Sequence, residues 1–462
     1  MKKITLFMFF MATVILNAQT FSEHEVGDLL NASSADVSDL DGDGDLDVVA
    51  VGYNQGAWPG TPNTSELSWY ENDGSQTYTK HVIQTGIHGA VYLKVGDVEA
   101  DGDEDIIVTV FDGDQLLTFI NDGSQTFTQQ VMDASADGSN YVSGGDLDGD
   151  GDGDGVAANY DGNEIALYIS DGMNPATFTK TVLDAALSNA ASVEVFDLDG
   201  DGNDDLVATG NNEVVWYKGD GAGVFAARQT VGALTGASGA YGADMNGDGD
   251  MDVVASSQAG NTVAWFESDG ATPTPAFTLH TVDAALNWAS FAQPVDFDND
   301  GNLDIVAAGN TSNQLIWYKS DGATPPIFTS QTIAHTPSNP YGISIDDVDG
   351  DGDQDITVAF SGGNKVMWFE NDTISLPDND TFAGAIPITP SAAGTGCATS
   401  QFTLPFSTDG TTDSGMDACI GTNTSYDQFF TWTADALLLR WNFNAPGNPG
   451  IAIYDAAGGA YI

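Results

Sequence analysis

Apolar residues in this chain come in short β-branched runs, not at helical spacing. VVAVG (Val48–Gly52), IIVTV (Ile106–Val110), LVATG (Leu206–Gly210), VVAS (Val253–Ser256), IVAAG (Ile305–Gly309) and ITVAF (Ile356–Phe360) each follow an acidic stretch, and GVAAN (Gly155–Asn159) is a weaker seventh. Each run is short, apolar and bounded by turn residues, so it reads as a buried strand. After a loop comes a second apolar strand holding an aromatic: Trp69, Phe119, Tyr168, Trp216, Trp265, Trp317 or Trp368. A tight turn follows, such as Asn72-Asp73-Gly74 or Ser268-Asp269-Gly270, and Asp-Gly between strands is a strong hairpin signal. A last strand opens on Phe21, Tyr78, Phe127, Phe178, Phe225, Phe277 or Phe328.

The acidic stretches begin at Asp39, Asp97, Asp146, Asp197, Asp244, Asp296 and Asp347, so one unit of about fifty residues occurs seven times. Four short strands per unit in radial repetition predict an all-β, seven-bladed β-propeller over residues 19–372. The two aromatic columns also predict how the ring closes. Phe21 has no partner tryptophan before it, and Trp368 has no phenylalanine strand after it. The N-terminal strand should therefore complete the last blade and leave no open edge.

Composition changes the picture in three ways. The formal charge is −58 with ten Lys and Arg, which excludes nucleic acid and anionic lipid as natural partners and favours cations. Residues 1–18 carry a basic start, Lys2–Lys3, and an apolar stretch, Ile4–Leu16, that is too short to span a bilayer. They read as a secretory signal peptide, which implies a secreted or outer-surface protein without membrane insertion. Cys397 and Cys419 are the two cysteines, and in an exported protein they read as one local disulfide.

Each acidic stretch is a nine-residue loop with oxygen-bearing side chains at positions 1, 3, 5 and 9 and glycine at position 6. Alternate side chains turned inward, with a glycine for the sharp turn and a carbonyl at position 7, match the first half of a calcium loop. The candidate ligands are Asp39, Asp41, Asp43, Asp45 and Asp47 in the first loop, and Asp97, Glu99, Asp101, Asp103 and Asp105 in the second. The third has Asp146, Asp148, Asp150, Asp152 and Asp154, and the fourth Asp197, Asp199, Asp201, Asn203 and Asp205. Asp244, Asn246, Asp248, Asp250 and Asp252 follow, then Asp296, Asp298, Asp300, Asn302 and Asp304, then Asp347, Asp349, Asp351, Asp353 and Asp355. Positions 10–12 are apolar strand residues, so the position-9 aspartate has to close the site. Flexible all-oxygen coordination suits Ca²⁺ better than Mg²⁺ or a transition metal. About seven Ca²⁺ ions are expected, against the alternative that these are solvated Asp-Gly turns.

The DxDxDGxxD loop followed by a β-branched strand resembles the FG-GAP/VCBS repeats, as in the propeller of integrin α subunits. That resemblance implies metal loops joining strands 1 and 2 of each blade on one face, with ligands bound on the opposite face. It spans adhesins, lectins and non-catalytic parts of surface enzymes, so it leaves the activity open. After Asn371 the composition shifts, and residues 373–380 read as a linker. Residues 381–462, with an NDxxxxAIPI-like opening, resemble accessory β-sandwich domains of secreted Bacteroidetes proteins. The pattern stops at Ile462 in mid-course, so the sandwich is expected to be partial, with a sorting domain lost beyond it.

The five histidines do not form a catalytic set. His24, His81 and His280 fall in one column of the outer strand, where other copies have Gln130 or Thr181. No carboxylate pair outside the loops repeats as a glycosidase dyad would. The better candidate surface is opposite the metal loops, where Tyr53, Trp58, Tyr92, Tyr141, Tyr241, Trp288, Phe291 and Tyr341 lie. Tyr92, Tyr141, Phe291 and Tyr341 read first as residues that pack near the inner strands. Tyr53, Trp58 and Trp288 are the candidate ligand contacts. The main reading is a calcium-binding adhesion module for carbohydrate or an extracellular protein. The alternatives are a polysaccharide lyase or hydrolase, or its non-catalytic propeller module, and a scaffold that only spaces other domains.

Overall fold

The computed structural model describes residues 21–53, 65–271 and 274–371, together with five short strands between Gln401 and Tyr461. Two compact units divide at residues 375–376. The second unit contains a three-stranded antiparallel sheet (Gln401–Phe402, Met416–Ile420, Gln428–Phe430) and a paired Ile453–Tyr454 and Ala460–Tyr461. The expected signal peptide and linker, Trp58, Cys397 and most of the expected sandwich lie outside the described residues.

The first unit is seven four-stranded antiparallel sheets. Blades I to VI are consecutive in sequence, beginning with Ala32–Ser38, Asp47–Gly52, Glu66–Asn72 and Tyr78–Thr85. Blade VII takes Pro340–Asp346, Asp355–Phe360 and Lys365–Asn371 from the end of the repeat and its outer strand, Phe21–Asp28, from the beginning. Phe21 pairs with Asn371 and His24 with Trp368, so the expected closure holds. Strand 2 of every blade is buried along its whole length, which is why, after its leading aspartate, it is mostly apolar and does not alternate. The outer strands mix half-buried and exposed positions, as in Tyr78–Thr85.

The strand-3 aromatics need one correction. Register places Phe119 and Tyr168 opposite Ile106 and Gly155, the residues directly after the loop aspartate. In blade I that place belongs to Tyr70, while Trp69 pairs one residue further on. The uninterrupted aromatic column is therefore Tyr70, Phe119, Tyr168, Tyr217, Phe266, Tyr318 and Phe369. The tryptophan column has Thr118 and Leu167 in blades II and III. The two columns face opposite sides of a strand, so the distinction has physical content. Tyr168, Tyr217 and Tyr318 donate their hydroxyls to Asp133, Asp184 and Asp283, at the end of the preceding blade's outer strand, at 2.8–2.9 Å. This column stitches blade to blade. The tryptophans instead turn toward their own outer strand, where His24, His81 and His280 stack on Trp368, Trp69 and Trp265 at 4.4–4.6 Å. All three histidines are half-buried column positions on the outer strand, as the sequence suggests.

Candidate functional site

The acidic loops join strands 1 and 2 of each blade, so all seven open on one end of the propeller. Their internal geometry repeats. The position-6 glycine N–H donates to the position-1 carboxylate in every copy, at 2.8–3.1 Å. The position-7 N–H donates to the position-5 carboxylate in every copy, at 2.9–3.3 Å. The glycine is required because its φ lies between +87° and +100°, outside what a side chain tolerates.

The position-9 aspartate does more than close the loop. Asp47 accepts the N–H of Leu40 at 3.1 Å with one oxygen and that of Asn72 at 2.8 Å with the other. Asp105, Asp154, Asp205, Asp252 and Asp355 accept the equivalent pair. Asp304 accepts Ser320 N–H and the Trp317 indole N–H. This carboxylate ties the loop to the end of strand 3. Burial pushes it up to about 7 in Asp47, Asp105, Asp252, Asp304 and Asp355, and to about 6 in Asp154 and Asp205. The signal was missed in the sequence because the second partner lies 14 to 25 residues away.

Three acidic residues converge closely enough to hold one metal ion in five loops. In three loops they are positions 1, 3 and 5 (Asp39, Asp41, Asp43; Asp296, Asp298, Asp300; Asp347, Asp349, Asp351). In the other two, Asp146, Asp148, Asp154 and Asp197, Asp199, Asp205, position 9 joins instead. Asp39 Oδ1, Asp199 Oδ1, Asp298 Oδ1, Asp347 Oδ1 and Glu99 Oε2 are out of solvent with no hydrogen-bond partner. Hard oxygens left unsatisfied beside other carboxylates fit an oxygen-seeking cation, so the residues present suit the group. A carboxylate has about four lone-pair sites, so the position-9 aspartate can hold its backbone partners and still face an ion. The position-7 side chains have a different place: Asp45, Asp103, Asp152, Asn203, Asp250 and Asn302 lie over the glycine of the strand 3–4 turn, where a Cβ would strike them.

At the opposite end, a pit of about 300 Å³ sits over the axis. Tyr92, Tyr141 and Phe291 stack as its floor, with Tyr92 and Tyr141 4.0 Å apart and Phe291 6.0 and 6.2 Å from them. Tyr141 donates to Glu194 below the floor, and its hydroxyl is 3.2 Å from that of Tyr241. These rings are therefore packing residues as well as lining, while Tyr241 lies deeper on strand Ala237–Ala243. The wall is Phe111, Tyr160, Asn211, Gln258 and Trp288, and among the described residues no lining side chain carries a charge. Phe111, Tyr160, Asn211 and Gln258 were missed in the sequence. They occupy the position after strand 2 that Tyr53 holds in blade I, and that shared column was the available signal. Tyr53 does not line the pit.

Trp288 is the anomaly of this face. The residue at the start of strand 1's approach is left-handed in blade after blade: Asn31, Gly89, Gly138, Asn189, Gly236 and Asn339, all Gly or Asn. Trp288 holds the same place at φ +55° and is 44 % exposed. Its N–H donates to Asn261 Oδ1 at 2.9 Å, as Asn189 and Asn339 donate to Asn163 and Asn313. A bulky side chain in this conformation costs roughly 1–2 kcal/mol, and packing does not require it.

Residues 39–108, 146–208, 206–255, 244–306 and 296–358 match the FG-GAP-like repeat, together more than half of the chain. No curated protein matches the sequence. Among solved structures, a chain of BBS1N in complex with ARL6DN, soaked with lead, is similar in fold at a TM-score of 0.50 and 9 % identity, over 77 % of this chain and 98 % of that one. A lectin from Agrocybe aegerita with specific recognition of non-reducing terminal N-acetylglucosamine reaches 0.47 at 19 % identity, over 77 % and 86 %. A protein from Lactobacillus plantarum reaches 0.49 at 15 % identity, over 67 % and 87 %.

Proposed function

The chain belongs to the FG-GAP-like repeat family, and within it we propose a secreted binding propeller whose acidic loops hold Ca²⁺ and whose opposite face takes a neutral carbohydrate. The observation that carries the ligand reading is Trp288. A strained, exposed indole at the rim of a pit that lacks charge is best accounted for by a partner that stacks on it. The pit is at the small end of ligand sites, the wall is aromatic, and Asn211 and Gln258 offer amides to hydroxyls. Among the described lining residues there is no carboxylate pair for glycoside cleavage, and we read the pit as a binding site.

The calcium reading is supported by the unsatisfied oxygens and by charge. The seven loops hold 34 of the 68 acidic residues. Bound cations relieve their repulsion and tie strand 1 to strand 2. What the ions supply is charge neutralisation and loop order; the loops' own residues supply position-1 and position-5 acceptors that already cap the turn. Secretion is supported by the signal-like start of the sequence. Among the described residues, no helix is long and apolar enough to cross a membrane.

The test is a glycan array with the full chain in millimolar Ca²⁺, followed by titration of any hit against Trp288→Asn. Binding that falls at least thirtyfold, about 2 kcal/mol, with the fold intact supports the reading. A blank array, or a hit indifferent to Trp288, would sink the carbohydrate reading and leave a protein partner to be sought on the same face.

A further inference from the structure

The seven acidic loops differ in what faces them. The residue after the blade-stitching aromatic is Glu71, Ile120, Ile169, Lys218, Glu267, Lys319 and Glu370 in blades I to VII. Where it is polar, its side chain lies beside loop position 3. Lys218 pairs with Asp199, and with Asp201 at 2.5 Å. Lys319 pairs with Asp298, and with Asp300 at 2.9 Å. In blade V, Glu267 accepts from Asn246 Nδ2 at 3.3 Å.

We propose that Lys218 and Lys319 are the resident cations of loops 197–205 and 296–304, so that the propeller takes up five divalent ions and these two loops keep their shape without metal. The proposal rests on the calcium reading of the other five loops.

Position is the first argument. Each ammonium reaches the Oδ2 atoms of positions 3 and 5, and so stands beside the acidic groups Asp197–Asp199–Asp205 and Asp296–Asp298–Asp300 that converge in these two loops, where it supplies the positive charge that a metal ion would otherwise bring. Burial is the second. Asp199 is 2 % exposed and Asp298 14 % exposed, so each needs a counter-charge close by. Charge is the third. Counted with the facing residue, loops 197–205 and 296–304 carry −4 and −3, against −5 or −6 for the other five. Calcium affinity follows the charge of the ligand set.

The surroundings agree with this division. In the three glutamate blades, His81, His280 and His24 stack on the tryptophan and bond Glu71, Glu267 and Glu370 at 2.7 Å. In the two lysine blades the histidine's place is taken by Gln229 and Gln331. The same two loops have an amide, Asn203 or Asn302, where the other five have Asp at position 7.

The experiment counts bound Ca²⁺ per chain by equilibrium dialysis with radioactive Ca²⁺ at millimolar concentration. Wild type should hold five, Lys218→Met and Lys319→Met should each add one, and the double variant should hold seven. Glu71→Lys is the converse and should remove one, which keeps the test alive if a methionine variant does not fold. Both methionine variants should also melt lower than wild type in chelator and recover in Ca²⁺. A wild-type count of seven, or a count unmoved by every one of these exchanges, would overturn the proposal. A wild-type count of two or fewer would instead overturn the calcium reading itself.

Discussion

The two ends of this propeller are built on different principles. At one end, Asp at positions 1, 5 and 9 and Gly at position 6 hold in all seven loops. At the other, the position after strand 2 runs Tyr53, Phe111, Tyr160, Asn211, Gln258, Asn310 and Ser361, with no two neighbours alike. The repeated end meets a need that every blade has, to turn from strand 1 into strand 2 while holding strand 3. The varied end meets a need that arises once per molecule, since the pit on the axis is lined jointly by residues of several blades. Within one repeat chain, repetition therefore marks the scaffold, and departure from it marks the candidate site. Lys218 and Lys319 are departures inside the repeated end, which is why they merit attention beyond their number.

The largest expected effect removes the element that makes the seven units a ring. Deleting residues 19–27 strips blade VII of its outer strand and uncovers Trp368, which is fully buried. An open apolar edge invites pairing with other chains. Aggregation, or a fall of many degrees in melting temperature, is expected in size-exclusion and thermal scans. A monomer with unchanged melting would break the account of closure.

Next come two aspartates of the repeated end with different duties. Asp47→Ala leaves the buried N–H groups of Leu40 and Asn72 without acceptors, each worth about 1–3 kcal/mol. That loss should persist in Ca²⁺ and in chelator alike. Asp43→Ala removes a loop carboxylate whose backbone partner, Asp45 N–H, is exposed, so its cost should appear in Ca²⁺ and largely vanish in chelator. Urea midpoints for both variants, with and without metal, read the difference. If the two behave alike, position 9 is only another ion ligand.

A smaller effect concerns pH. The position-9 carboxylates are pushed by burial to about 6 or 7 in the folded state. An unfolded aspartate ionises near 3.9, so between about pH 4 and 7 the folded state binds more protons. Stability then falls as pH rises through that window. In chelator, the urea midpoint at pH 5.5 should exceed that at 7.5. In Ca²⁺ the order should reverse, because protons compete with the ion. A metal-free protein that is weaker at 5.5 would show these carboxylates to be ionised in the fold.

Much of this was legible in the sequence because a repeat prints its own alignment. Seven glycines at position 6 and the unpaired Phe21 gave the loops, the blade count and the closure. What misled was matching aromatics by type. Trp69 and Phe119 look equivalent, but they sit one residue apart on the strand and on opposite faces. Matching by distance from the turn residue Asn72 or Asn121 would have found Tyr70 instead. The pit was less legible for a different reason: its wall is drawn from Phe111, Tyr160, Asn211 and Gln258 of four blades, and each residue is ordinary within its own loop. The loop-facing lysines were visible as residues but not as contacts, since Lys218 lies 17 and 19 positions from its partners.

The smallest expected effect compares two tryptophans, one from each principle. Trp265 is a repeat residue, 1 % exposed and stacked with His280. Truncating a buried tryptophan to alanine costs about 3–5 kcal/mol. Trp288 is 44 % exposed and left-handed, in a place where Asn31, Asn189 and Asn339 adopt the same conformation. Trp288→Asn keeps the N–H that donates to Asn261, removes a side chain that buries little, and introduces a residue that accepts positive φ more readily. The loss of partial packing and the relief of strain oppose each other, each on the order of 1 kcal/mol. Melting should therefore stay within a few degrees of wild type, with the shift upward if strain prevails, while Trp265→Ala melts far lower. A loss from Trp288→Asn as large as that from Trp265→Ala would make Trp288 a packing residue, and the case for a ligand over the pit would lose its main support.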